Sequence, residues 1–532
     1  MGILEGFRDK DFLDQITILN ELASNKDAAE LGALIELFDN PVGDTSIDYM
    51  VVNALNAVLS QDEAATVAGL SSDKIGMRTL CIRVAGEYAV ESAVAPLMAM
   101  AEAEPDPDRL MEVLTALSRI GGEASLPLFR SCLFHEDALV AALAVEVVGR
   151  RCDVESLAAL QAIVDANEAD DSYERCEITT WKAIEALAEM GGDAALGYLV
   201  SKLHHRNPTA RRIITDALVR IGEPAVPQLL KLFSEGDKDQ QVLAANVVGF
   251  IASKSGASGL VAAHDRGETG DPNVRYAVYE ALGRIGGMKA LICLMDGLSE
   301  DDDLILMAVI GGLERHVNPG LLKTLSQKLA AGDEQAERLG RATIASGAVR
   351  LFRELYGMAD ASGALMDALV RTNDPETLAA FREVLDALAA EAATADRAKA
   401  DIARLPELTL GTRKALAVDD SRSMTALMKS ILADLGYEAF VASNGAEAYA
   451  LVDQGERFEL IVTDMNMPVM DGMEFTEKLR ATEGFEDVPV IMVTTESEAS
   501  QRTLAGKTGV TAFVTKPFKP VQLKETIASL MD

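Results

Sequence analysis

Ile-Val-Thr-Asp-Met-Asn-Met-Pro-Val-Met-Asp-Gly, residues 461–472, is the stretch on which the reading of this chain turns. It places an acidic side chain, Asp464, at the end of a predicted strand. Three other stretches share that design: Ala-Val-Asp-Asp at 417–420, Met-Val-Thr-Thr at 492–495 and Phe-Val-Thr-Lys-Pro-Phe at 513–518. Strands are expected at 415–418, 437–442, 460–463, 488–493 and 511–515, each followed by a helical stretch. Five such units make a doubly wound parallel sheet, whose functional crevice lies at the carboxyl ends of its strands. Asp419, Asp420, Asp464, Thr494 and Lys516 all fall at those ends.

Three carboxylates converging on one point repel each other unless a cation joins them, and a hard, oxygen-seeking Mg2+ suits such a site. Asp464 can then act as a carboxylate nucleophile toward a phosphoryl group, with Thr494 and Lys516 supplying a hydroxyl and an ammonium for its oxygens. An aspartate at a strand end often does no more than cap the next helix. That explanation serves for any one of these residues and fails for five together at these spacings.

With these motifs, residues 413–532 resemble the CheY-like receiver domains of two-component response regulators. The resemblance implies that Asp464 is the phosphoacceptor, that Asp420 and Asp464 ligate the metal directly, that Asp419 does so through water, and that Asn466 offers its backbone carbonyl. It implies a switch hydroxyl at Thr494, a phosphate-contacting Lys516 followed by Pro517 in a usually cis linkage, and a switch aromatic at Phe513. Asn466 and Glu496 match the pair that tunes phosphoryl lifetime and imply fairly quick self-hydrolysis. Thr495 departs from the smaller residue usual there, which implies narrower access. In the family's switch, the face formed by the last helices and strands changes, and that face is expected to rest against the preceding array.

Residues before 385 repeat one phrase, a helix ending in apolar-Leu-small-x-apolar-small, a short turn and a second amphipathic helix. Copies read Ala-Leu-Ser-Arg-Ile-Gly-Gly (116–122), Ala-Leu-Ala-Glu-Met-Gly-Gly (186–192), Ala-Leu-Val-Arg-Ile-Gly-Glu (217–223) and Ala-Leu-Gly-Arg-Ile-Gly-Gly (281–287). The glycine is expected to end the first helix in a left-handed cap, and Asp-Pro or Asn-Pro to start the next unit. One unit cannot bury its apolar face alone, so stacking into a solenoid is expected. Over about 10–345 these units resemble HEAT repeats of the phycobilisome-lyase-like type, which implies a curved superhelix that holds a protein partner or, more rarely, an enzymatic site. The expected organisation is an all-α HEAT-repeat solenoid at 1–385, a helical connector at 386–412 and the α/β receiver at 413–532. The Ala-rich segment 388–405 reads as a semi-rigid helix, with a dimerising helix, and hence a homodimer, as its alternative.

A hydrophobic share of 49% with 5% aromatic residues favours closely packed helices. The five cysteines, 81, 132, 152, 176 and 293, include no Cys-x-x-Cys pair and are expected to be buried free thiols. Five histidines with a single His-Glu dyad, His135-Glu136, argue against a metal cage in the array. No membrane insertion is expected, and the expected compartment is the cytoplasm. Net charge is −35, with 12 Lys and Arg against 19 Asp and Glu from 413 onward and 37 against 65 before it. Such acidity disfavours nucleic acid and points to a basic protein partner or to solubility alone.

The expected function is that of a response regulator in which phosphorylation of Asp464 gates protein binding by the HEAT array. A sensor histidine kinase or other phosphodonor must supply the phosphate. No enzyme activity is expected beyond self-phosphorylation and autodephosphorylation. The alternatives are a receiver-regulated HEAT enzyme, lyase-like, and a phosphate sink localised by the array.

Overall fold

The computed structural model describes residues 3–26, 28–169, 177–407, 413–494, 508–516 and 518–531. It divides into two compact units, Met1–Asp165 with Glu177–Met190, and Ala166–Cys176 with Gly191–Asp532. In the first, helices Thr45–Leu59, Ile75–Glu87, Pro107–Ile120, Ala138–Arg150 and Ile178–Met190 stack in one layer. In the second, Pro208–Ile221, Lys238–Ile251, Pro272–Ile285, Asp303–Glu314 and Glu334–Ala345 stack in a layer of their own. A parallel layer of partner helices, Val226–Glu235, Lys254–Asp265 and Met288–Asp296, lies beside it.

Local chemistry sets both ends of each unit. Asp106, Asn207 and Asp271 cap the helices that follow through side-chain acceptance of backbone N–H groups, each with proline at the first helical position. At the other end Gly121, Gly222 and Gly286 donate their N–H groups to the carbonyls of Leu117, Leu218 and Leu282. Their φ values of 82, 74 and 71 are positive as expected, but ψ of −155, −134 and −160 places them outside the left-handed helical well. The cap is an extended, positive-φ conformation open essentially to glycine alone, which turns the chain into the partner helix.

The third position of the phrase has a different task. A Cβ at Gly249 would stand 2.9 Å from Ala281 Cα, and one at Gly283 would stand 2.6 Å from Gly312 Cα. Gly86 and Gly149 meet Ala116 and Ala186 in the same way within the first unit. The glycine of one phrase therefore faces the small first residue of the next, and backbone touches backbone. Neither side can yield as a flexible side chain would. Gly283→Ala should destabilise the chain by about 1–3 kcal/mol through overpacking. Gly197→Ala, inside helix Gly192–Ser201 with its nearest neighbour atom at 3.9 Å, should be neutral or stabilising by up to about 1 kcal/mol. Denaturant unfolding of the two variants checks the contrast.

Beyond 345 the helices Val349–Gly357, Ser362–Val370 and Pro375–Leu388 continue the second unit. The single connecting helix expected over 388–405 is instead interrupted. Helix Pro375–Leu388 ends, Thr394 Oγ1 donates to the Leu388 carbonyl at 2.7 Å, and a short helix, Ala395–Ile402, begins. Ala398 is fully buried, and Tyr356 Oη donates to Asp401 Oδ2 at 2.7 Å. A free connector has no need of that buried face; this one is packed onto the helices before it.

The C-terminal sheet has five parallel strands, β1 Arg413–Val418, β2 Tyr437–Ala442, β3 Leu460–Asp464, β4 Val490–Thr494 and β5 Ala512–Thr515, in the order β2-β1-β3-β4-β5. Side chains alternate across it. Ala415, Ala417, Leu460 and Val462 pack with helices Arg422–Asp434 and Pro520–Met531, while Leu416, Val418 and Ile461 pack with Gly445–Asp453 and Gly472–Arg480. This is the doubly wound arrangement expected of the motifs. Cys81, Cys132 and Cys293 are buried free thiols, whereas Cys152 is exposed, because it sits at φ 49 just past the end of helix Ala138–Arg150. Cys176 lies outside the described residues.

Candidate functional site

The parallel sheet brings Asp419, Asp420, Asp464, Thr494 and Lys516 to one edge, since β1, β3, β4 and β5 all end there. Asp419, Asp420 and Asp464 each offer an oxygen within 4.8 Å of the others, and among the described residues they form the one cluster of three or more such ligands. Asp419 is locked in place: its N–H donates to the Ala442 carbonyl and its Oδ1 accepts from Ser421 N at 2.8 Å. Gly472 lets the following helix close over the site, because a Cβ there would stand 2.0 Å from the Asp464 carbonyl oxygen. Asp471 caps that helix through Met473 N and Glu474 N.

Lys516 Nζ lies 2.7 Å from Asp419 Oδ2 and 3.1 Å from Asp464 Oδ1. Burial alone would push its ammonium down, yet the Asp419 and Asp464 carboxylates hold it above the usual lysine range. Burial pushes the Asp464 carboxyl up to about 8, against the pull of Lys516 and with the repulsion of Asp419 and Asp420 added. Burial likewise raises Asp419. One lysine is too little charge for three clustered carboxylates, two of them buried and the third half-buried. A hard divalent cation fits the donor set, all carboxylate oxygens with no thiol or imidazole.

Thr494 is buried beside Met465, and its Oγ1 lies 3.9 Å from the Met465 sulfur. Phe513 is half-buried against Met465, Met473, Met492 and Val510, one methionine-lined pocket under the site. Asn466 lines the same cavity as Asp464 and Lys516. Glu496, Thr495 and Pro517 lie outside the described residues.

No motif of the array marks it as reaching this edge. The layer Pro208–Ile221 to Asp303–Glu314 closes over the strand ends. Arg284 Nη2 lies 3.3 Å from Asp420 Oδ2 and 3.2 Å from the Asp420 carbonyl oxygen. Tyr276 Oη hydrogen-bonds Ser421 Oγ, and Glu280 Oε1 accepts from Ser421 and Ser423 at 3.2 and 2.6 Å. Asn273 donates to the Lys516 carbonyl at 3.1 Å, and Arg212 Nη2 meets Glu474 Oε2 at 3.4 Å. Together they leave a cavity of about 60 Å3 around Asp464. Among the described residues the sheet domain presents its strand ends and its first helix, Arg422–Asp434, to the array; of the last helices and strands expected there, 495–507 lies outside the described residues. That first helix packs on Asp303–Glu314 and Glu334–Ala345, with Lys429 Nζ 3.3 Å from Asp374 Oδ2 and Asn373 donating to Asp434 at 3.0 Å.

The model of the response regulator receiver domain matches residues 415–528, and that of HEAT repeats matches 226–314. Over 119 residues the chain is 40% identical to a chemotaxis protein CheY homolog of Campylobacter jejuni, covering 22% of this chain and 92% of that protein. The chain belongs to the response regulator family. Among solved structures, this response regulator is similar to the chemotaxis response regulator CheY4 of Vibrio cholerae, with 38% identity, 23% of this chain and 99% of that one covered, and a TM-score of 0.22. It is also similar to the receiver domain of a sensor histidine kinase of Pseudomonas aeruginosa, solved with a magnesium ion coordinated in its active site cleft, with 26% identity, 22% and 97% covered, and a TM-score of 0.21. These relatives match the C-terminal segment, and the helical remainder of the response regulator lies outside them. Among its described residues no helix is long and apolar enough to cross a membrane.

The raised carboxyl has a thermodynamic consequence. With the folded value of Asp464 near 8 and the ordinary value 3.8, the folded protein holds a proton that the unfolded chain has released, so stability falls as pH rises through that window. Asp464→Asn removes the titrating group. In divalent-free buffer its melting temperature should exceed that of the wild type by more at pH 8 than at pH 6. Added Mg2+ should raise the melting temperature of the wild type more than that of the variant.

Proposed function

We propose that this response regulator is a phosphorylation-gated protein-binding scaffold, built of a HEAT array (1–385), a connector (386–412) and a receiver (413–532). Asp464 accepts the phosphoryl group, and the phosphorylated receiver releases the array face that it covers at rest. The observation that carries this reading is the seating of Tyr276, Glu280 and Arg284 on the same strand ends that hold Asp464. A phosphorylation site and a recognition surface that cover each other cannot be used independently.

In the reaction an ionised Asp464 oxygen attacks phosphorus, a new P–O bond forms, and the bond from phosphorus to the donor breaks with its electron pair leaving on the donor. The donor is a sensor histidine kinase or a small phosphodonor. Asp419, Asp420, Asp464 and the Asn466 carbonyl would hold Mg2+, which when bound offsets the negative charge of the phosphoryl group. Lys516, already 3.1 Å from Asp464, holds a phosphoryl oxygen, and Thr494 offers its hydroxyl to another. Asn466 and Glu496 set the rate at which water removes the group. Tyr276, Glu280 and Arg284 cover the strand ends at rest, so transfer from a kinase takes place on an opened receiver.

The face that opens carries Arg211, Arg212 and Arg284, so a partner that replaces the receiver there presents carboxylates. The basic partner expected from overall charge would meet the acidic remainder of the array. Coupling of ~1–3 kcal/mol makes partner affinity differ about 5- to 150-fold between the two states.

Asp464→Asn should abolish acid-labile labelling by acetyl phosphate with Mg2+, while Asp471→Asn, which keeps a helix-capping side chain, should label normally. Labelling of wild type should also speed amide hydrogen exchange in 272–285 and 422–434, measured by mass spectrometry, with no such change in Asp464→Asn. Labelled protein whose exchange in those segments matches that of the unlabelled protein would leave the receiver uncoupled from the array.

A further inference from the structure

Arg284 is the fourth residue of the Ala-Leu-Gly-Arg-Ile-Gly-Gly phrase at 281–287, a position held by Arg119 and Arg220 in two other copies but by Glu189 in a third, so the repeat does not require arginine there. Its guanidinium lies over the Phe250 ring, 4.5 Å from the centroid, which fixes its plane. From there Nη2 takes both the side chain and the carbonyl of Asp420, while Nη1 is buried with no hydrogen-bond partner among the described residues. A buried donor without a partner is costly. Close packing of the array does not need it, since the inter-unit contacts are made by Gly283 and Gly312 on the backbone side of the helix.

We infer that Arg284 belongs to the phosphorylation site as a resident cation, occupying the Asp420 side of the carboxylate cluster and competing there with the divalent metal. All three carboxylates then already face a cation, Asp419 and Asp464 sharing Lys516 at 2.7 and 3.1 Å and Asp420 meeting Arg284 at 3.3 Å. A divalent ion that takes Asp420 must displace the guanidinium. Arg284 lies on the helix whose Tyr276 and Glu280 hold Ser421 and Ser423, so its displacement loosens that seat as well. By linkage the array weakens the metal as much as the metal weakens the array. The competition supplies the latch of the gating reading and rests on it.

Calorimetric titration of the full chain with Mg2+ alone tests the assignment. Arg284→Gln should bind Mg2+ about 10-fold more tightly than wild type, whereas Arg284→Lys, which keeps a positive charge, should stay within about 3-fold of it. Asn273→Ala, which removes an array–receiver hydrogen bond to the Lys516 backbone carbonyl and takes no cation from a carboxylate, should tighten Mg2+ far less than Arg284→Gln. In wild type, Mg2+ without a phosphodonor should speed hydrogen exchange in 276–286, a reading independent of how well any variant folds. Unchanged or weaker Mg2+ binding by Arg284→Gln, equal tightening by Arg284→Gln and Asn273→Ala, or exchange in wild type indifferent to Mg2+ would each overturn the assignment. If the assignment falls while phosphorylation still speeds exchange in 272–285, the gating reading stands without its latch. If phosphorylation too leaves exchange unchanged, gating itself is wrong.

Discussion

Three clustered carboxylates at the ends of adjacent parallel strands, two of them buried and the third half-buried, are an electrostatic debt that the rest of this molecule is arranged around. Asp419, Asp420 and Asp464 share about one cation's width of space. Lys516 from the end of β5 answers part of the charge, and Arg284 from the array answers another part. The sheet topology makes the first pairing unavoidable, because β1, β3 and β5 must end on one edge. The second is a matter of how the array is seated, and it can be undone.

That difference divides the molecule into a fixed and a movable part. Within the array, Gly249 on Ala281 and Gly283 on Gly312 bring backbones into contact, so the layer that meets the receiver is stiff. Between array and receiver many of the contacts are polar, with hydroxyls on Glu280, an amide on the Lys516 carbonyl, arginines on Asp420 and Glu474 and Lys429 on Asp374, while Leu304 packs against the receiver's apolar core beside them. Water can replace such contacts at modest cost, whereas it cannot replace a helix–helix core. A stiff layer held by exchangeable polar contacts can respond to a change of charge at the site it covers.

Much of this was legible in the chain. The five residues could be placed because strand ends in a doubly wound sheet converge by construction, so short motifs about 20–45 residues apart carry their geometry with them. The helix pairs were legible from the recurring phrase and its Asx-Pro starts. What the phrase concealed was the role of its third residue, where Gly283 serves close approach, and of its fourth, where Arg284 reaches a carboxylate 136 residues away. No local pattern encodes a contact of that separation. The connector was misread for a related reason: high helix propensity over 388–405 says nothing of Asp401 meeting Tyr356, and tertiary packing decided where the helix breaks. The choice of the first receiver helix as the docking face depends on Ser421 and Ser423 finding Glu280, again a pairing across more than a hundred residues.

The central claim is that array and receiver are seated together at rest and part when the site is filled. The most direct measurement is the distance between spin labels at Met288→Cys on the array and Val521→Cys on the receiver, both at exposed positions, in a chain whose exposed Cys152 is replaced by serine. A single narrow distance without metal, lengthening and broadening on addition of Mg2+ and beryllofluoride, is the result this account predicts. The same narrow distribution in both conditions would contradict it.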